Sequence, residues 1–423
     1  MNIKDKFNTL KYRYSSVRNW WTPPHKADYD INHRQITGLE IFYDLVYSVY
    51  FARIGVSLAT DLGSINILIH CLYFILGWWS WLNFTLYFEM HGNDDVRSRF
   101  FAFLQMSCVL GMSIFFNSPE HKDLMFTLFY IGLQLIMTYL WWYTGVVHIE
   151  HIRSMKYSRI MLIATIVFAL GLLFPPPLRY FIWVLSLLVN AYAPHSIQRR
   201  NIYVTPSLSK RVNRFTVIII AQIISSIIVG VWALKDEVGT TSIFIFGGLL
   251  LAFFVWTLYS EFVYKNKVKI GYNNFMLYFI FTALLALSIS FAGALLIGIA
   301  SNYHNPSIAD VYNDILAWDI FAIMMIIELF QFIMIKKLIR SDLWIKIALP
   351  IFAILSLGIS LFNNHFWITL ISSSVVILVM NALKFFFIRI IVKIEHHHHE
   401  KIKALKKSFI DYKSNNRNDE ICM

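Results

Sequence analysis

The chain has 423 residues, 57% of them hydrophobic and only 15% charged, whereas a soluble domain is about half apolar and a quarter charged. That balance excludes a soluble protein built round one core and points to surface that faces a bilayer. The net charge of +12 does not point to nucleic acid, because Lys and Arg cluster between apolar stretches and at both ends, as membrane topology demands.

Residues 1–35 are polar and basic. Ile3, Phe7, Leu10, Tyr14 and Val17 recur at helical spacing and, with Trp20 and Trp21, predict a short amphipathic helix on the cytoplasmic membrane surface, ended by Pro23 and Pro24. A frayed basic tail is the plain alternative. The segment lacks the apolar region of a cleavable signal peptide, so the first span is expected to direct insertion.

Twelve apolar segments follow, each near the ~20 residues that cross a hydrocarbon core. They cover about 36–60, 64–89, 97–116, 124–147, 158–175, 178–197, 214–234, 241–263, 272–301, 312–335, 343–362 and 365–392. The connecting charges support that series. Loops placed on the cytoplasmic side carry Arg97 and Arg99, then Arg153, Lys156 and Arg159, then Arg199 to Arg214, Lys265 to Lys269, and Lys336 to Arg340. The opposite loops carry Lys122, Arg179 and Lys235 and no other basic residue. The alternation places both termini in the cytoplasm.

The expected fold is therefore an all-α polytopic membrane protein of about 12 transmembrane helices. The polar loop 198–213 divides it into a first half, 36–197, and a second half, 214–392, and a basic tail containing His396 to His399 occupies 393–423. A sequence echo crosses the loop: Thr85-Leu86-Tyr87-Phe88-Glu89 closes span two and Thr257-Leu258-Tyr259-Ser260-Glu261 closes span eight. Chance in a biased composition is one explanation, and two parallel six-helix repeats are the other.

Chemistry is sought in the polar residues inside the spans. Glu40 and Asp44 sit one turn apart on one face of span one, about 6 and 12 Å from Ile36. An intramembrane charge is costly and rarely idle, so Asp44 reads either as a proton or cation carrier or as a structural carboxylate paired on a neighbouring helix. Arg53 lies on the other side of that helix, where its long side chain can snorkel. Span ten offers Asp319, Glu328 and Gln331, the last two on one face at about the depth of Asp44, so a cavity between spans one and ten is one arrangement to look for. Gln105, Gln134, Asn190, Gln222 and Asn381 fit interhelical hydrogen bonds better than ligands.

At the end of span two, Glu89, His91, Asp94, Asp95 and Arg99 crowd together. They have no calcium-loop spacing and read first as a solvated turn, with a latch against the basic loops as another option. His148 and His151, with the tail histidines, do not supply the several clusters of a di-iron enzyme, and no HExxH, phosphate loop or nucleophile elbow is present. No metal site, catalytic residue or cofactor is expected, and Cys71, Cys108 and Cys422 are too scattered for a disulfide or zinc site.

The first-span run Glu40-Ile41-Phe42-Tyr43-Asp44-Leu45-Val46-Tyr47 resembles the signature of the bacterial low temperature requirement protein A family. Trp78, Trp79 and Trp81 with Asn83 are similar to its Trp-rich second span, and Asp94 and Asp95 with Arg99 to the acidic turn after it. Phe215-Thr216-Val217-Ile218-Ile219-Ile220-Ala221-Gln222 looks like the family's motif at span seven. Two positions depart: Gln222 and Lys210 stand where the family has Glu. The resemblance implies a link to growth in the cold and leaves the biochemical activity open.

The leading expectation is a secondary transporter or permease of the cytoplasmic membrane. Glu40, Asp44, Glu328, Gln331 and Gln222 are the coupling candidates, the partners being the lipid bilayer and a small-molecule or ion substrate. Alternatives are a membrane-embedded lipid-handling or lipid-modifying factor using Glu89, His91 and Asp94, and a structural membrane partner.

Overall fold

A computed structural model describes residues 23–24, most of 36–362, and isolated positions from 369 to 379. The connecting segments 61, 93–94, 117–121, 149–150, 197–202, 235–237 and 336–340 are not described. The expected amphipathic N-terminal helix, the span at 365–392 apart from Thr369, Ile371, Val375 and Val379, the histidine tail and Asp94 fall outside the described residues.

Eleven α-helices are found among the described residues: α1 Gly38–Leu58, α2 Ser64–His91, α3 Val96–Phe115, α4 Lys122–Val147, α5 Arg153–Leu170, α6 Leu178–Tyr192, α7 Pro206–Leu234, α8 Val238–Tyr259, α9 Tyr272–Ser301, α10 Pro306–Ile333 and α11 Ser341–Phe362. Each coincides with one expected segment. Nine of them, α1–α5 and α7–α10, are long and apolar enough to cross a membrane. The protein is thus a polytopic, all-α membrane protein. With 15 residues, α6 extends only about 22 Å before passing into a 3-10 turn at Ala193–Ser196.

Local chemistry explains where the helices begin. Thr37 and Glu40 form a capping box at α1: the Thr37 hydroxyl accepts from the Glu40 N–H, and Glu40 Oε1 accepts from the Thr37 N–H at 3.0 Å. Asp95 caps α3 by accepting from the Ser98 N–H at 2.9 Å. The Thr205 hydroxyl accepts from the Leu208 N–H at 3.1 Å, which starts α7 at Pro206, well ahead of the expected residue 214. The connection 198–213 is therefore partly helical, and Arg211, expected in a loop, belongs to α7.

The helix α1 is the hub, packed against α2, α3, α7 and α9. Small residues allow the close approaches that membrane helices need. A Cβ on Gly77 of α2 would come within 2.1 Å of the Tyr50 ring on α1, and one on Gly298 of α9 within 1.9 Å of the Tyr312 ring on α10. Midspan amides tie helices together, as expected: Gln105 accepts from Tyr43 Oη at 2.8 Å, and Gln134 accepts from Asn190. A two-residue antiparallel ladder, β1 Lys267–Val268 with β2 Met334–Ile335, pins the α8–α9 connection to the end of α10.

Candidate functional site

Two residues expected to matter, Glu40 and Asp44, meet a third that was assigned to a loop. Arg211 of α7 donates from Nη1 to Glu40 Oε2 at 2.9 Å and from Nη2 to Asp44 Oδ1 at 3.1 Å. All three side chains are sealed, with side-chain exposures of 1% for Arg211, 0% for Glu40 and 2% for Asp44. The cluster lies about 9 Å into α1 and 7 Å into α7, two turns or fewer from the ends of both helices. Glu40 spends one oxygen on its capping box and the other on the guanidinium, and its place in the first turn also suits the positive end of the helix dipole.

Asp44 has a second donor, Trp81 Nε1 of α2, at 2.7 Å. The Trp81 ring stacks on Phe215 of α7 with centroids 4.0 Å apart, and Phe84 stacks on Tyr43 of α1 at 4.0 Å. The Arg211 guanidinium lies 5.9 Å from the centroid of Phe84, within cation–π range. Aromatic faces replace water around the charges, so each pair interacts in a lower dielectric than a surface ion pair. Segments far apart in the chain, the Glu40–Tyr47 run, the Trp-rich part of α2 and the Phe215–Gln222 motif, thus converge on one junction of α1, α2 and α7.

Of the two readings of Asp44, the geometry supplies the neighbouring-helix partner. Sequence reasoning missed Arg211 because it sits in the basic run Lys210-Arg211-Val212-Asn213-Arg214, which reads as a cytoplasmic loop. The available signal was the Thr205 and Pro206 pair, which suits an N-cap followed by proline at the first helical position. Arg53 is exposed on the far side of α1.

The remaining candidates separate. Gln222 donates to the Ser48 carbonyl of α1 at 2.8 Å and accepts from the Ser290 hydroxyl of α9 at 3.1 Å. It joins three helices through a donor that a Glu in its place would lack when ionised. Glu328 and Gln331 are buried and hydrogen-bonded to each other on α10.

A cavity of about 150 Å³ does lie between spans one and ten, but neither Asp44 nor Glu328 lines it. It opens toward the other end of α1, at Ile54 and Leu58, and its acid is Asp319. Spans one and ten also touch near that end, where Tyr312 Oη donates to the Ala59 carbonyl at 2.9 Å.

Glu89, His91 and Asp95 at the end of α2 are buried rather than solvated. Glu89 is buried and its Oε1 accepts from the Thr205 and Ser207 hydroxyls, clasping α2 to the start of α7. His91 is buried with its ring 5.6 Å from Trp141 and 5.1 Å from His151. Asp95 is the α3 cap, and Arg99 is exposed. Arg97, also read as a loop charge, is buried, with Nη2 donating to Tyr87 Oη at 3.4 Å and the guanidinium 5.3 Å from the Tyr143 centroid.

No curated protein matches the chain. The family model described as bacterial low temperature requirement A protein (LtrA) matches residues 35–382, which takes in the junction, the cavity and every described helix, and the chain belongs to that family.

Proposed function

We propose that the protein is a secondary transporter or permease of the bacterial cytoplasmic membrane, in which intramembrane carboxylates couple ion or proton movement to a conformational change. The observation that carries this reading is the buried Glu40–Asp44–Arg211 cluster, because it joins the first half of the chain to the second. A clamp made of buried charges is a poor choice for stability alone, since desolvation cancels most of the Coulomb gain. It is a good choice for a switch. Protonating either carboxylate removes one contact and weakens the tie between the halves, a bistable element of the kind transport needs.

The helix adjacencies support a duplicated unit. In the first half α1 packs on α2 and α3, α4 packs on α2 and α3, and α5 packs on α4. Six helices later, α7 packs on α8 and α9, α10 packs on α8 and α9, and α11 packs on α10. This sequence of neighbours is what two parallel six-helix repeats and twelve spans would produce. The lipid-modifying alternative rests on Glu89, His91 and Asp94. Glu89 and His91 are buried in helix contacts, so no observation favours it. The orientation with both termini in the cytoplasm remains the one that the loop charges support, and the family name associates the reading with growth at low temperature.

The test is proton flux into proteoliposomes carrying an internal pH dye, driven by a potassium diffusion potential. Wild-type protein should conduct or exchange protons, and Asp44→Asn should lower the rate without preventing folding. Equal flux from wild type and Asp44→Asn would remove the coupling role.

A further inference from the structure

The second polar feature of the bundle is the cavity of about 150 Å³ bounded by α1, α2, α9 and α10. Its walls are apolar: Ile54 and Leu58 of α1, Phe74 of α2, and Leu287 and Phe291 of α9. Into it faces one acid, Asp319, about 20 Å along α10 and therefore near the middle of that helix. Asp319 is 7% exposed, and its Oδ2 has no hydrogen-bond partner among the described residues. The Ser288 hydroxyl stands beside the carboxyl group.

The other titratable groups on the lining are His70 and Cys71 of α2, and α1 and α9 contribute none. His70 Nδ1 lies 2.6 Å from the Asn66 carbonyl. A carbonyl only accepts, so Nδ1 carries a proton.

A carboxylate in apolar surroundings is expensive unless it holds a proton or meets a cation. At about 150 Å³ the cavity is far larger than the space a single water needs, so a proton on Asp319 leaves most of it to be filled. Its walls are also wrong for a divalent metal. Calcium takes about six to eight oxygen ligands, whereas Asp319, Ser288 and Ser290 are the oxygen-bearing side chains on the lining. Among the described residues no three His, Cys, Asp or Glu side chains are grouped closely enough to hold a metal such as zinc. An apolar body with a single positive charge matches both surfaces. The rings of Phe74 and Phe291 add faces on which a cation is favoured over a neutral group.

We propose that the cavity is a binding site for a small organic ammonium ion, whose hydrocarbon part packs on Ile54, Leu58, Phe74 and Phe291 while its N–H groups donate to Asp319 Oδ2. The ammonium and a proton on Asp319 are alternatives, so binding releases the proton and the carboxyl exchanges one for the other. Only the use of that exchange depends on the transport reading. Binding itself needs no membrane gradient.

The site can be read directly, because carbodiimides add to protonated, buried carboxyl groups. The full-length wild-type chain in detergent is treated with dicyclohexylcarbodiimide, and modification of the Asp319 peptide is measured by mass spectrometry. The reading is the sum of the N-acylurea adduct and the cyclohexylamide that the amine forms by capturing the activated carboxyl, so that only protection by binding lowers the total. Cyclohexylamine is the probe, with cyclohexanol and sodium chloride as controls. At about ten times its dissociation constant, taken from the concentration dependence, cyclohexylamine should lower labelling about tenfold and raise the thermal midpoint. Neither control should do so. In Asp319→Asn the amine should no longer raise the midpoint, and because labelling is read on wild type the test stands even if the variant does not fold. Equal protection by cyclohexanol would reduce the cavity to an apolar void. Protection by sodium alone would make it an inorganic cation site. No labelling together with no amine-dependent stabilisation would also overturn the proposal. Proton flux that persists while amine protection is absent would remove this inference and leave the transport reading in place.

Discussion

Replacing Arg211 with Met removes the positive member of the buried cluster at nearly constant length. The guanidinium contacts Glu40 at 2.9 Å and Asp44 at 3.1 Å. At an effective dielectric constant of about 20, each contact is worth about 5 kcal/mol before desolvation. Three sealed charges lose most of that sum to desolvation, so the intact cluster adds little net stability. Removing one side of it is another matter. Arg211→Met leaves two carboxyl groups one turn apart in an aromatic shell with no countercharge from α7, and breaking a buried pair in this way costs about 3–5 kcal/mol. The triple variant Glu40→Gln, Asp44→Asn, Arg211→Met removes all three charges and should recover most of the loss, to within about 1–2 kcal/mol of wild type. The assay is reversible unfolding in mixed detergent and dodecyl sulfate micelles, followed by far-UV circular dichroism. The reasoning fails if the single variant unfolds within about 1 kcal/mol of wild type, or if the triple variant is less stable than the single one.

Further outcomes follow from the same contacts. Trp81→Phe keeps an aromatic ring against Phe215 but deletes the 2.7 Å bond to Asp44, and a lost charge-assisted hydrogen bond should lower stability by about 1.5–3 kcal/mol in the same micelle titration. Thr205→Ala removes both the α7 cap and a donor to Glu89; hydrogen exchange should accelerate in the first turn of α7, reflecting a loss of about 1 kcal/mol, and unchanged protection there would refute the cap assignment. Gln222→Ala severs bonds to α1 and α9, each worth about 0.6–1.7 kcal/mol in a membrane protein, and a stability loss below that range would show that Gln222 does not join the three helices. Gly298→Val places a side chain where Tyr312 lies, and the expected cost of about 1–3 kcal/mol would appear as a lower midpoint in detergent; an unchanged midpoint would refute the close approach of α9 and α10.

Particular residues show where the sequence was readable. Thr37 and Glu40 carry the capping-box spacing, so the start of α1 and the first role of Glu40 are local. The midspan amides announce themselves by residue type, and Gln105 and Gln134 do bond across helices. The acidic cluster was harder. Asp95 caps its own helix, whereas Glu89 answers to Thr205 and Ser207, 116 and 118 residues away. Charge alone gave no sign of that partnership, because a carboxylate at a span end looks the same whether it faces water or a hydroxyl from another segment. Asp319 was visible as a midspan acid, but its cavity depends on four helices.

Hydropathy and loop charge, by themselves, determined that this chain spans a membrane as many helices and about where each described helix lies, the start of α7 excepted. The bilayer imposes its length on every span and rejects unpaired backbone from its interior, so those features are written locally. Which charges meet was decided only by tertiary structure. Arg211 lies 171 and 167 residues from Glu40 and Asp44, and nothing local distinguishes it from the basic residues beside it. The capped start of α7 turns it into the bundle, packing of α7 on α1 brings it to the carboxylates, and the aromatic shell of Trp81, Phe84 and Phe215 then makes that pairing the arrangement in which none of the three charges is left alone.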